Sequence, residues 1–293
     1  MNSISGRDLY SWYQQAKQAA IANNIALDEI DWLLQTITNL DNLSLRLGTF
    51  QHQVQVSSQK SLPELVKLWQ QRLQERLPVQ YLVETVFWRR FQLKVTPAVL
   101  IPRPETELII DLALANNTFI DGDLHWVDLG TGSGAIALGL ADVFPQAVIH
   151  AVDLSHDALE IARENANNLR LDNICFYQGS WWSPLNFLRG KVTGMVSNPP
   201  YIPSAQIQQL QPEVALHEPR LALDGGNDGL DDIRCLVETA PDYLVSGGMW
   251  LIELAIAQAD TVAQLLRHQG EYRDIKIFAD LAGVDRFVLA YRC

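Results

Sequence analysis

The chain has 293 residues, 48% hydrophobic and 19% charged, with 34 acidic against 22 basic side chains and a net charge of -12. That is enough apolar material for one large or two ordinary domains, and the acidic balance argues against holding nucleic acid by its phosphates, which takes a basic face. No apolar run approaches the roughly 18 residues of a membrane helix, the amino-terminal MNSISGRDLY is too polar for a secretory signal, and Cys175, Cys235 and Cys293 are odd in number and widely spaced, which points to a reducing cytoplasm rather than to disulfides or Cys-bound zinc.

Residues 1–79 read as a helical domain. Leu9, Trp12, Tyr13, Ala16 and Ala20 recur at helical spacing, as do Leu27, Ile30, Leu34 and Ile37. Ser61-Leu-Pro-Glu64 is a helix start in which Ser61 caps while Glu64 reaches back to its amide. The helix it opens turns Leu65, Val66, Trp69, Leu73 and Leu77 inward and should stop at Pro78. No ionisable cluster appears here, so the expected role is recognition rather than chemistry. Across 80–104, Tyr81–Val83, Val86–Trp88 and Phe91–Val95 are expected as short strands of a connecting hairpin. In Ile101-Pro-Arg-Pro-Glu-Thr-Glu107 two prolines hold the backbone extended before a helix begins near Thr106.

The catalytic part is expected over 105–293. Apolar strands around Trp126, Val148–Val152, Cys175–Tyr177, Met195, Met249–Ile252, Ile275–Phe278 and Phe287–Ala290 alternate, early on, with helices. That pattern predicts an α/β fold, a mostly parallel sheet covered on both faces. Only a short loop joins the last two strands, so that pair should be antiparallel.

Two motifs fall at strand ends. Val127-Asp-Leu-Gly-Thr-Gly-Ser-Gly134 runs from strand to glycine loop to helix, and Asp153 stands nineteen residues beyond Gly134 at the end of the next strand. Glycines at 130, 132 and 134 let a ligand lie against bare backbone, and a carboxylate at 153 can accept both ribose hydroxyls. The spacing is GxGxG rather than the dinucleotide GxGxxG. Asp128 before it suits the cationic end of S-adenosylmethionine better than a diphosphate. The second motif is Asn198-Pro-Pro-Tyr201 after the fourth strand. An amide or aromatic amine has its lone pair delocalised and is a poor nucleophile. The Asn198 side-chain oxygen and the Pro199 carbonyl can each accept one N–H, aiming that lone pair at a sulfonium methyl. Pro199 and Pro200 fix the backbone, and Tyr201 offers a flat face to a planar acceptor.

With these motifs on nearly its whole length, the chain resembles the protein-(glutamine-N5) methyltransferases that modify peptide chain release factors, the HemK or PrmC proteins. Glu218-Pro-Arg-Leu-Ala-Leu223, Gly225-Gly226, Asp228-Gly229 and Asp280-Leu-Ala-Gly-Val-Asp-Arg286 extend the likeness. The resemblance implies a Rossmann-like, class I S-adenosylmethionine-dependent methyltransferase with a seven-stranded sheet and a substrate-docking helical domain. By that likeness Asp128, Gly130, Thr131, Gly132, Ser133, Gly134, Asp153, Ser180, Trp181 and Asn198 contact S-adenosyl-L-methionine. Asn198, Pro199, Pro200 and Tyr201 would hold the acceptor glutamine of a Gly-Gly-Gln loop in a class 1 release factor. Arg103, Glu105 and Thr106 would help close the site, and Trp181, or its neighbour Trp182, would lie against adenine. Two departures stand out. Relatives often carry an acidic residue where this chain has Ser180, and many have glycine near Glu84.

The alternatives are an adenine-N6 DNA or RNA methyltransferase using the same Asn-Pro-Pro-Tyr chemistry, which the net charge disfavours, and a binding module that kept the fold but lost catalysis, which the intact motifs disfavour. Asp224–Asp232 reads as a solvated loop, not a metal site; Cys175 and Cys235 read as small buried groups.

Overall fold

The computed structural model describes residues 2–119 and 122–293. They divide into two compact units, one running to Thr85 and taking in Pro212–His217, the other made of Val86–Gln211 and Glu218–Cys293. The hairpin expected as a connector is therefore almost wholly part of the second unit.

In the first unit the helical spacing produces helices: α1 (Gly6–Ala22), α2 (Asp28–Ile37), α3 (Asn42–Leu47) and α4 (Leu62–Glu75). Leu9, Tyr13, Ala16, Ala20, Ile30 and Leu34 from the first two meet Leu65 and Trp69 from α4 in one apolar core. The Ser61–Glu64 capping box forms. An antiparallel pair, β1 (Asn2–Ile4) with β2 (Val56–Ser58), was not anticipated, because three residues are too few to show alternation. Two local expectations are corrected. The α4 helix ends at Glu75, with Arg76 left-handed at φ 59°, ahead of Pro78. Tyr81–Val83 is not a strand: Pro78 opens a single helical turn, α5 (Val79–Leu82), whose Tyr81 and Leu82 amides donate to its carbonyl at 3.0 and 3.2 Å. Glu84 follows at φ 51°, a backbone state that favours glycine.

The second unit opens with the hairpin β3 (Thr85–Trp88) and β4 (Phe91–Lys94) and with α6 (Leu108–Asn116). Then come β5 (His125–Leu129), α7 (Ala135–Val143), β6 (Val148–Asp153), α8 (His156–Leu169), β7 (Ile174–Gln178) and β8 (Val192–Ser197). After α9 (Pro212–His217), which belongs to the first unit, follow α10 (Asp231–Thr239), β9 (Leu244–Glu253), α11 (Ala259–Gln269), β10 (Tyr272–Ala279) and β11 (Asp285–Arg292). In the first unit, Glu213 of α9 pairs with Arg72 and Arg76 at 2.8 and 2.7 Å, while Arg72, buried, also grips Glu29.

The seven strands lie in the order β10-β11-β9-β8-β5-β6-β7. β5 to β9 are parallel, and β11 runs antiparallel to both its neighbours, as the short last loop requires. Because β5 and β8 are neighbours in the middle, their carboxyl ends meet, and Ser197 Oγ donates to the Leu129 carbonyl at 2.6 Å. Cys175 is exposed on the edge strand β7, against the expectation of burial, and Cys235 is half-buried. No described helix is long and apolar enough to cross a membrane.

One buried side chain ties the hairpin to the glycine loop. Asn165 on α8, 1% exposed, accepts from the Lys94 amide at 2.7 Å and donates to the carbonyls of Lys94 and Ser133 at 3.0 and 2.9 Å. Asn165→Ala leaves three backbone groups without that partner, each costing about 1 kcal/mol or more when buried. Urea denaturation should show a loss of about 3 kcal/mol; an unchanged midpoint would refute this role.

Candidate active site

Ligands in open parallel sheets bind beyond the carboxyl ends of the strands. There, β5, β6, β7 and β8 open on a cavity of about 490 Å³ whose walls include Gly130, Gly132, Asp153, Trp181, Asn198 and Asp232. That volume suits a cofactor-sized molecule.

The glycine loop is shaped by backbone. Gly130, Gly132 and Gly134 all have positive φ, at 80°, 54° and 86°, a state open to glycine at little cost. The amides of Gly130 and Thr131 both donate to the Val152 carbonyl at 2.9 Å, which folds the loop over the end of β6. A Cβ on Gly134 would come within 3.1 Å of Ala162. Asp153 faces the cavity, taking the Gly132 amide on one oxygen and the Ser155 amide on the other, both at 2.8 Å. Burial raises its pKa, and the amide bonds counter that.

Asp128 lies deeper. It is fully buried and not part of the cavity wall. One oxygen accepts from Thr131 Oγ1 at 2.6 Å and from the Ala137 amide at 3.0 Å, and the other has no partner. Burial pushes its pKa up to about 7. Thr131 and Ser133 are likewise buried behind the wall, so these three shape the loop from behind while Gly130 and Gly132 present their backbone. Ser180 and Trp181 line the cavity. Trp182 instead stacks on Tyr243 in the core at 4.4 Å between ring centres, which settles which indole faces the ligand space.

The Asn-Pro-Pro-Tyr loop is strapped in place. Gln258 Nε2 donates to the Tyr201 carbonyl at 3.0 Å, and the Gly225 amide donates to the Ile202 carbonyl at 2.9 Å. A Cβ on Gly229 would sit 2.3 Å from the Tyr201 oxygen, so only glycine fits there. Asn198 Nδ2 donates to Thr106 Oγ1 at 3.4 Å, whereas its Oδ1 and the Pro199 carbonyl accept nothing among the described residues. Pro200 lines the cavity, Pro199 is buried, and Tyr201 donates to Glu253 at 3.4 Å. Arg103 grips Glu218, whose side chain is 1% exposed, at 2.7 Å, while Glu105 is exposed. No metal-type cluster occurs among the described residues.

Three site residues escaped the sequence analysis: Glu253, Gln258 and Asp232. Glu253 carries the same sign that marked Asp153, a lone carboxylate ending a buried strand at the carboxyl edge. Asp232 sits within a stretch read as solvated loop, yet it borders the cavity beside Trp181.

A family profile described as a methyltransferase domain matches residues 120–210. The release factor glutamine methyltransferase of Synechocystis sp. is 54% identical over 98% of this chain and 97% of its own. The chain belongs to the release factor glutamine methyltransferase family. The family's member from Thermosynechococcus vestitus is 46% identical over 98% of this chain and 99% of its own. Among solved structures, the hMettl16 catalytic domain superposes with a TM-score of 0.57 at 12% identity, covering 89% of this chain and 87% of that one, a likeness of fold alone.

Family membership leaves Asp128 with a testable cost. Its folded pKa is raised above the unfolded value of 3.8. Stability is then unaffected below about pH 4 and declines as pH climbs toward 7, where only the unfolded chain ionises freely. Asp128→Asn should gain on wild type by up to about 4 kcal/mol across that window. Urea midpoints measured from pH 4 to 7 check this, and a constant difference would contradict it.

Proposed function

We propose that this chain transfers a methyl group from S-adenosyl-L-methionine to the side-chain nitrogen of the glutamine in the Gly-Gly-Gln loop of class 1 release factors. The observation that carries the reading is the pairing, at one strand end, of two acceptor atoms without partners among the described residues, Asn198 Oδ1 and the Pro199 carbonyl, beside a cavity of cofactor size. Those two acceptors match the two N–H bonds of one carboxamide.

The residues fit the cofactor. Gly130 and Gly132 leave bare backbone, Asp153 offers carboxylate lone pairs to ribose, and the Trp181 ring supplies an apolar face for adenine. Ser180 has only a hydroxyl for the adenine edge, and Asp232 brings a carboxylate to the same cavity. When bound, S-adenosyl-L-methionine supplies an electrophilic methyl on a sulfonium. Asn198 and Pro199 take the amide hydrogens, which turns the nitrogen lone pair out of conjugation and stabilises positive charge as it grows. Tyr201 bounds the acceptor side. The surplus proton leaves the methylated nitrogen for water or a carbonyl, since an N-protonated amide is strongly acidic. The first unit is assigned to docking the protein substrate, and the setting to the cytoplasm, where release factors work.

Incubation with labelled cofactor and either a release factor or duplex DNA tests the reading. Label should enter the release factor, as a gain of about 14 Da on the Gly-Gly-Gln peptide, a mass fixed by methyl replacing hydrogen; label on DNA alone would overturn it. Asn198→Ala should lower turnover by about 10², the scale of removing one oriented polar group, while cofactor affinity stays near wild type. Asp153→Ala should do the reverse, weakening cofactor binding by about 10² in calorimetry, as loss of charged hydrogen bonds predicts. Equal turnover in the Asn198 variant would contradict the mechanism.

A further inference from the structure

Four carboxylates stand on the wall of the cavity, and three have visible work or face solvent. Asp153 holds the Gly132 and Ser155 amides at 2.8 Å. Asp224 takes Ser204 Oγ on one oxygen and Arg220 on the other, the latter at 2.9 Å, and so ties down its own loop. Asp157 has an 84% exposed side chain beside His156. Asp232 is the fourth, half-buried in the first turn of α10. The buried face of that helix, Ile233, Leu236 and Val237, enters the same apolar core as Trp182, Leu185 and Leu188 from the segment after β7. That packing sets Asp232 on the wall it shares with Ser180 and Trp181.

Asn198, Asp153 and Trp181 stand at the carboxyl ends of β8, β6 and β7, which cross the sheet in the order β8-β5-β6-β7. A nucleoside with its reactive end at Asn198 and its ribose at Asp153 therefore carries its base toward Trp181. An indole face accepts any purine, because stacking reads shape and not hydrogen-bonding groups. The Ser180 hydroxyl can either donate or accept, so it does not select among purines either. An ionised carboxylate only accepts, and adenine offers the matching donor in its 6-amino group. We propose, on the cofactor reading given above, that Asp232 is a specificity-determining residue whose carboxylate accepts a hydrogen bond from the 6-amino group of the cofactor's adenine. Selection of adenine then falls to the first turn of α10 and not to the segment after β7. A negative charge at the start of a helix also favours the helix alone, and the two roles separate experimentally.

Calorimetry with the demethylated cofactor, and with its analogue carrying hydrogen in place of the 6-amino group, needs no protein acceptor. Burial raises the Asp232 pKa, so binding is measured at about pH 8, well above the ordinary carboxyl range. Wild type should bind the amino form about 30-fold more tightly, the scale of one hydrogen bond to a charged group. Asp232→Ala should weaken the amino form and spare the analogue, closing the gap to within about threefold, while Ser180→Ala keeps it open. Asp232→Asn, with a neutral acceptor of the same shape, should fall between the two. An Asp232→Ala loss shared equally by both ligands would overturn the proposal, since it marks a carboxylate facing the aminoacyl end. A lower melting temperature with the gap intact would do the same, since it marks a helix charge alone. If wild type binds neither ligand, the cofactor reading fails and the role of Asp232 with it. If wild type binds both alike, that reading stands and only the role of Asp232 falls.

Discussion

An amide nitrogen shares its lone pair with the adjacent carbonyl, and the carboxyl edge of this sheet is organised around overcoming that reluctance. In the proposed mechanism two fixed acceptors hold two hydrogens at once, which leaves little tolerance in the backbone between residues 198 and 201. The fold meets the demand with rigid connections. Ser197 is locked to Leu129, the prolines remove backbone freedom, and Gln258 with the glycines at 225 and 229 grips the loop from outside. Each of these contacts limits where the Pro199 carbonyl can point.

Buried acid recurs around the same edge, and each carboxylate is stabilised differently. Asp153 is met by two amides. Asp128 has an amide and a hydroxyl on one oxygen and nothing on the other. Glu253 has the Tyr201 hydroxyl on one oxygen, nothing on the other, and a guanidinium nearby. Burying an ionised group without full compensation is costly, so these positions hold a standing destabilisation in exchange for negative potential. A cofactor carrying positive charge fits such a place well.

Much of the catalytic unit was legible because its signals are local. The strand–glycine loop–helix pattern, the carboxylate at 153 and the proline-fixed turn at 198 are each written in a few consecutive residues. The antiparallel ending followed from loop length alone. What stayed hidden depends on tertiary neighbours. Trp181 and Trp182 are the same residue type, and only the folded structure separates the one at the cavity, with φ 48°, from the one in the core. Glu253 owes its setting to β8 and β11 on either side of β9, which sequence spacing does not show. Tyr81–Val83 is too short for periodicity to distinguish strand from helical turn. The burial of Asp128 could not be read from spacing, which gives position along a strand but not depth.

The most direct test of the whole account is a crystal structure with the demethylated cofactor and a glutamine-containing peptide from the Gly-Gly-Gln loop. The account predicts the glutamine nitrogen within ordinary hydrogen-bond distance, about 3 Å, of both Asn198 Oδ1 and the Pro199 carbonyl, with its free face toward sulfur. A carboxamide bound through its oxygen to Asn198 Nδ2, with the nitrogen turned away from sulfur, would contradict it.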